Sequence, residues 1–402
     1  MGTARFDPSS HHVVGASWDG TAWVWQVMQP YRQWSSSPIA RDCIGDISLD
    51  AQQRFLAVNC TSHVTHIWDT AHDQLLARLP SGTSPDGPYR SAFTAISAAG
   101  DRAAIAIGNT VAIYALGDAR LLRTVTHPAG VTAIAFSKSG HDVVSGGADG
   151  SLLFTPDGGD SFALPGLAGG VNAVAITPDR RLLIASPRGR LRVHDLDRNT
   201  IITEADAPNR VVSLRLSADG RRLIIIASTL PPLVAPALWD LDHYRLVAHL
   251  DGHVGAVFSA RFVDGDQAIL TAGGDGIPRL WDSVTGRLKK TYLGNDKYLL
   301  DAALDPDGVM IVGGGGDGVL RFWHAASGRM LWTLRAHRVG ILGVHFEGVD
   351  IVTRGFTGEV SRWNVSKLPP VETIDRAARC LPLRFDENTG GLVEQTPACE
   401  LP

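Results

Sequence analysis

The sequence predicts an all-β fold, a β-propeller of four-stranded antiparallel blades, and three observations predict it. A segment of strand, Asp-Gly turn and strand ending on Trp recurs. Gly273-Gly274-Asp275-Gly276-Ile277-Pro278-Arg279-Leu280-Trp281-Asp282 is matched by Asp317-Gly318-Val319-Leu320-Arg321-Phe322-Trp323 and by Asp19-Gly20-Thr21-Ala22-Trp23-Val24-Trp25, each with Asp six residues before Trp. The Trp column continues through Trp25, Trp68, Trp239, Trp281, Trp323 and Trp363, with Tyr114, Thr155 and His194 in the three remaining places, at gaps of 43, 46, 41, 39, 45, 42, 42 and 40. A period near 40 to 45 residues with four short strands per repeat is the signature of a propeller blade. A second column sets the register: an apolar residue ends the first strand at Phe6, Leu49, Ile96, Phe136, Ile176, Leu216, Phe262, Leu304 and Phe346.

Nine repeats follow, roughly 1–37, 38–79, 80–126, 127–165, 166–205, 206–249, 250–292, 293–334 and 335–374, with a tail at 375–402. Turns such as Ser217-Ala218-Asp219-Gly220 and Asp305-Pro306-Asp307-Gly308 separate first and second strands, because Pro presets one dihedral and Gly permits a positive one. The second repeat places strands at Ile44–Leu49, Phe55–Val58 and Val64–Trp68. The third keeps Gly108-Asn109 where Asp-Gly is expected, and Gly169-Gly170 opens the fifth. After Trp363 the pattern dissolves. Val371–Ile374 reads as the last outer strand, Asp375–Leu381 as a short helix and Leu392–Gln395 as a strand.

These residues resemble the WD-repeat β-propeller family over nearly the whole chain. In that family a His before the first strand, a Ser or Thr in the second, an Asp in the turn and the Trp of the third form a hydrogen-bonded set. His253, Thr271, Asp275 and Trp281 match all four places. His127, Ser145 and Asp149 match three, with Thr155 for Trp; His337, Thr353 and Trp363 match three, with Thr357 for Asp. Such a set satisfies half-buried polar groups across three strands. His127, Ser145 and Asp149 also invite a Ser-His-Asp triad reading. Recurrence in other repeats fits a structural brace better than a single active site. The resemblance implies a ring of seven or eight blades closed by an N-terminal strand, yet nothing precedes the strand ending at Phe6. Three arrangements stand open: one nine-bladed ring, a seven- or eight-bladed ring with the first repeats spilling over, which is preferred, and part of a double propeller.

Composition narrows the function classes. The 402 residues are 44% hydrophobic and 19% charged, with 43 Gly and 22 Pro, which suits many short strands and turns. A net charge of −4, with basic residues no denser than Arg180-Arg181, Arg221-Arg222 and Lys289-Lys290, disfavours nucleic-acid and anionic-membrane partners. No 18-residue apolar run and no secretory opening occur, so a soluble cytoplasmic chain is the expectation. Phe6 stands where myristoylation needs Ser or Thr. Asn59-Cys60-Thr61 and Asn364-Val365-Ser366 match glycosylation acceptors, which matter only on secretion. Cys43 and Cys60 read as buried thiols; Cys380 and Cys399 can pair in an oxidising compartment. No cofactor or metal is expected. Gly313-Gly314-Gly315-Gly316-Asp317-Gly318 lacks the Lys of a phosphate loop, Asp305-Pro306-Asp307-Gly308 lacks the later ligands of a calcium loop, and His11-His12 point to opposite faces of a strand.

The sixth repeat departs most informatively. Trp239 lies 23 residues beyond Leu216, against 19 in the regular repeat, so the turn between its second and third strands has gained about four residues. That turn holds Leu230, Pro231, Pro232, Leu233 and Val234, and its proline stiffness lowers the entropy lost on binding. The bland alternative is that its apolar residues cap the core. A long connection with Pro85 and Tyr89 is the second candidate contact.

The expectation is therefore a non-enzymatic platform that binds a protein or peptide on one face, with oligomeric state unassigned. This rests partly on analogy of fold. One alternative is an enzyme with carboxylates or His converging at the central channel. Another is a sensing module of a larger bacterial effector or NTPase protein, since the tail, with Arg379-Cys380-Leu381-Pro382 and Thr396-Pro397-Ala398-Cys399, resembles those of some bacterial WD-repeat proteins.

Overall fold

The computed structural model describes residues 94–97, 99–137, 141–208, 211–227, 233–356 and 360–364, together with strands at 4–6, 12–16, 22–26, 32–35, 47–49, 55–59, 64–69, 74–80, 383–386 and 391–394. Among these residues every regular element is a strand. They make eight four-stranded antiparallel sheets, one of three strands and one of two. The repeated four-stranded sheet is the unit of a β-propeller, as expected from the period. Among the described residues no helix is long and apolar enough to cross a membrane.

The sequence columns are structural columns. The Trp-column residue sits on the third strand and pairs with the second strand in the same way each time. Leu56 faces Trp68, Ala103 faces Tyr114, Val143 faces Thr155, Leu182 faces His194, Leu223 faces Trp239, Ile311 faces Trp323 and Ile351 faces Trp363. Immediately before that residue the ladder to the fourth strand slips by one, at Ile67/Trp68, Ile113/Tyr114, Val193/His194, Leu238/Trp239, Leu280/Trp281, Phe322/Trp323 and Arg362/Trp363. An extra residue on one strand raises the local twist, and the same bulge at the same place gives each sheet the same twist.

The chain divides into two compact units, Met1–Ser36 with Leu270–Trp281 and Leu288–Pro402, and Ser37–Ile269 with Asp282–Arg287. In the second unit neighbouring sheets bury aliphatic faces against each other. One such layer joins Leu183, Leu191, Val193, Leu223, Ile225 and Trp239; another joins Ile67, Leu79, Ile105 and Tyr114. In the first unit Val312, Leu320 and Phe322 pack against Ile341, Ile351 and Trp363, and Trp332 stacks on Phe322 with ring centres 4.6 Å apart. Truncating a buried aromatic of this kind costs about 3–5 kcal/mol.

The N-terminal strands β1 (Ala4–Phe6), β2 (His12–Ala16), β3 (Ala22–Gln26) and β4 (Arg32–Ser35) do not form one sheet. β1, β2 and β3 make the three-stranded sheet, and β4 becomes the fourth strand of the sheet built by Ile341–Glu347, Asp350–Gly355 and Val360–Asn364. The outer strand expected at Val371–Ile374 lies outside the described residues, as do all four cysteines.

Turns that bring sheets close require glycine. Gly150, in the Asp149-Gly150 turn, has φ +91, and a Cβ there would lie 2.0 Å from the Leu167 carbonyl oxygen. Gly150→Ala is expected to lower unfolding free energy by about 1–3 kcal/mol, measured by urea denaturation; an unchanged midpoint would contradict the close approach.

Candidate functional site

Thr353 shows how a buried hydroxyl serves three strands. Its Oγ1 accepts from Trp363 Nε1 at 2.8 Å, meets His337 Nε2 at 2.8 Å and donates to the Ser361 carbonyl at 3.2 Å. With the hydroxyl proton used on Ser361, the His nitrogen must donate. Thr271 accepts in the same way from Trp281 Nε1 at 2.8 Å. Asp275 also takes the Arg279 guanidinium at 2.6 Å. His253 is half-buried in the connection before Val257–Val263. Thr357 lies outside the described residues.

In the 127–165 repeat the set runs through a residue the sequence reading passed over. His127 Nε2 meets Ser145 Oγ at 2.7 Å, His127 Nδ1 meets Ser151 Oγ at 3.1 Å, and Ser151 Oγ donates to Asp149 at 2.7 Å. The signal for Ser151 is its place two residues after Asp149, where an Asp side chain turns back on its own backbone; Ser151 N donates to Asp149 at 3.0 Å. A nucleophile must meet its substrate, and His127 and Ser145 are each 1% exposed. The geometry makes this set a brace. Burial holds the His127 imidazole below its ordinary value, while hydrogen bonds from Ser151 hold Asp149 below the usual carboxylate range.

Where the hydroxyl is missing, the column finds other solutions. Gly313 occupies the position of Thr353, and Trp323 Nε1 donates to the Leu293 carbonyl at 2.8 Å. His194 meets Asn199 at 3.0 Å, and in the repeat that keeps Ser145 but lacks the indole, Thr155 meets Ser161 at 2.9 Å. Ile225 stands at that position in the sixth repeat, and Trp239 Nε1 is buried with no partner among the described residues. Sequence reading also missed a column of buried arginines two places before the Trp column. Arg279 meets Asp275, Arg321 meets Asp317 at 2.6 Å, and Arg192 meets Glu204 at 2.6 Å and the carbonyls of Pro165 and Gly166. Burial would raise Asp317, but the Arg321 guanidinium outweighs it and holds the carboxyl below its ordinary range.

The lengthened turn of the sixth repeat lies at one end of its sheet. Register places the start of Val211–Leu216, the connection from Ala227 to Ala237 and the end of Arg245–His249 at one end. The connection to Val257–Val263 leaves from there. At this end Val212, Val254 and Leu233 are 54%, 82% and 46% exposed, and Val234 and Phe258 are exposed as well. Leu230, Pro231, Pro232, Pro85 and Tyr89 lie outside the described residues. In the first unit the corresponding connections carry exposed Tyr298, Val339 and Phe356. The Tyr298 ring covers Gly316 and the Phe356 ring covers Gly340, where a Cβ would lie 1.9 Å and 2.1 Å from ring atoms.

The opposite end of the second unit is charged. A cleft of about 510 Å³ is lined by Asp179, Arg181, Asp195, Asp197, Arg198 and Tyr244, among others. Arg181 pairs with Asp179 at 2.8 Å, Arg198 with Asp195 at 2.9 Å and Arg180 with Asp197 at 2.6 Å. Burial pushes Asp179 up, yet hydrogen bonds from Arg181 and Thr177 bring it below its ordinary value; hydrogen bonds from Arg198 lower Asp195.

The family of WD domain, G-beta repeats matches at residues 2–26, 119–154, 244–282 and 286–324. The chain carries WD repeats at these four places, and its fold is a β-propeller. It is 23% identical over 220 residues to apoptotic protease-activating factor 1 of Rattus norvegicus, covering 53% of this chain and 16% of that protein. The chain thus spans about a sixth of that relative's length. The crystal structure of the computationally designed Ika8 protein matches at a TM-score of 0.64 and 19% identity, over 80% of this chain and 97% of that one, a likeness of fold.

Two measurements check the brace. Because burial depresses His127 and His194, the unfolded chain takes up protons below about pH 6.5 that the folded chain refuses, so stability falls as pH drops through that value. The urea midpoint is expected to decline between pH 7.5 and 5.5, and His127→Asn to flatten the decline; an equally steep slope in the variant would remove His127 from the account. Trp363→Phe, which removes one of the three hydrogen bonds of Thr353, is expected to cost about 1 kcal/mol more than Trp239→Phe, and equal losses would contradict it.

Proposed function

We propose that this chain is a non-enzymatic interaction platform whose partner is a protein or peptide. It binds at the sheet end that carries Val212, Leu233, Val234, Val254 and Phe258. WD-repeat propellers generally serve as protein-interaction scaffolds, and the observation that supports this reading is the exposure of Val212, Leu233, Val234, Val254 and Phe258 around the lengthened turn of the sixth repeat. Clustered apolar exposure on a folded surface marks a contact site, whereas scattered single residues do not. Leu233 and Val234 are the described part of the proline-rich turn, and their exposure favours its contact role over its capping role.

A second reading, that the propeller is the sensing part of a larger protein, is favoured by the relative of which it matches 16%. An in-frame coding sequence upstream of Met1 would support it.

Replacing Leu233 and Val254 by Asp is expected to weaken capture of a partner at least about tenfold, by the loss of two desolvated contacts, with stability within about 0.5 kcal/mol of wild type. Pull-down by the intact chain with mass spectrometry measures the first and thermal unfolding the second. A melting temperature lowered by several degrees would assign both side chains to the core.

A further inference from the structure

The position of β4 carries an inference that is independent of Val212, Leu233, Val234, Val254 and Phe258. In six repeats the Trp-column residue pairs with the residue seven places later: Trp68 with Leu75, Tyr114 with Leu121, His194 with Ile201, Trp239 with Leu246, Trp281 with Leu288 and Trp323 with Met330. The residue before it pairs ten places on, as Leu238 with Ala248 and Phe322 with Trp332. β4 stands at these offsets from β3, since Arg32 follows Trp25 by seven and Trp34 follows Val24 by ten. By its own spacing β4 is the fourth strand of the first repeat. It pairs instead with Val360–Asn364, in the equivalent register, with Trp363 opposite Arg32, Arg362 opposite Trp34 and the usual bulge between them.

One strand therefore has two matching acceptor edges. The last repeat's own continuation is the weaker competitor for the Val360–Asn364 edge, because Pro370 stands seven places after Trp363 and proline has no N–H to give the ladder. With β4 placed there, β3 lies beside β32 (Met330–Arg335) but pairs with no strand other than β2 among the described residues. Two acceptors and one strand leave an edge unfilled in any arrangement that uses β4 alone, including exchange of β4 between two copies. An unpaired edge is a template for another strand.

We propose that the outer edge of β3 is a strand-accepting site for an extended segment of a partner protein, which adds antiparallel as a fourth strand. Its chemistry follows from the six regular fourth strands. The residue opposite the Trp column is Leu, Ile or Met in all six, and β4, with Arg32 there, is the exception. The partner segment is thus extended, free of proline, and apolar at the residue that faces Trp25.

The probe is a labelled peptide with the sequence of residues 329–335, Arg-Met-Leu-Trp-Thr-Leu-Arg, titrated into the full chain by fluorescence anisotropy. Wild type is expected to bind one equivalent, and a variant whose residues 32–35 are replaced by Gly-Ser-Gly-Ser to bind two. Ser35→Cys with Ser361→Cys, on a background with the native cysteines changed to Ser, is expected to cross-link β4 onto the last sheet and still bind one equivalent. The peptide with Trp332→Pro is expected to bind at least about tenfold more weakly, through lost ladder bonds. Absence of binding to wild type and to the cross-linked chain overturns the proposal, even if the replaced variant fails to fold. Failure of Ser35 and Ser361 to cross-link overturns the assignment of β4. Because Val212, Leu233, Val234, Val254 and Phe258 are untouched by every one of these variants, loss of peptide binding leaves the proposed platform function standing.

Discussion

Most of the sheets bury the side chain that ends the third strand with its polar atom paired, and Trp239, whose indole N–H is buried without a partner among the described residues, is the exception. The indole, imidazole or hydroxyl sits where neighbouring sheets exclude water, so an unpaired N–H there costs about 1–3 kcal/mol. The repeats achieve this pairing in different ways. Thr353 and Thr271 accept from an indole in the next strand, the Leu293 carbonyl replaces a hydroxyl that Gly313 lacks, and His194 turns to Asn199 within its own hairpin. The backbone pairing is the same in all these cases, while the side-chain solution is free to drift. This explains how repeats that share few residues still form equivalent sheets.

That freedom also decides what could be read from the sequence. The column and its apolar companion were legible, because a bulge before the column residue and its pairing with the second strand recur in repeat after repeat. Ser151 and the arginines at 192, 279 and 321 were not. Each acts through a local turn or a carbonyl that a scan for four named residue types does not reach, and a strand Arg beside a Trp reads as a solvated face until its burial is known. Leu233 and Val234 stood out because an insertion carried them, whereas Val212 and Phe258 lie in regular strands, where an apolar residue reads as core. The destination of β4 was illegible for another reason. Its spacing is that of a local fourth strand, and its actual partner lies more than 320 residues away, so only the competition between edges decides it.

The two ends of the sheets are built from the same repeat. Turns between first and second strands, and between third and fourth, are short and rich in Asp and Arg, which pair within one sheet or between adjacent sheets, as Arg180 does with Asp142 and Asp197. Exposed pairs of this kind contribute little stability each, but they leave few charges unsatisfied. At the other end the connections are held by backbone contacts at glycines such as Gly150, Gly276 and Gly318 and by the paired Asp side chains of the same turns. Variation in the exposed side chains of these connections changes the surface without disturbing the pairing beneath it, which is the separation a binding platform needs.

Closure by a borrowed strand has a consequence for the energetics of the whole array. In a repeat fold stability is close to a sum of terms within repeats and between neighbours, so a terminal sheet with an open edge is its weakest part. Taking β4 from the first repeat completes the last sheet over Trp363 and Arg362, where Arg362 also meets Glu347 and Asp350. Leaving that edge open would expose a desolvated ion-pair network, and pairing β4 there covers it.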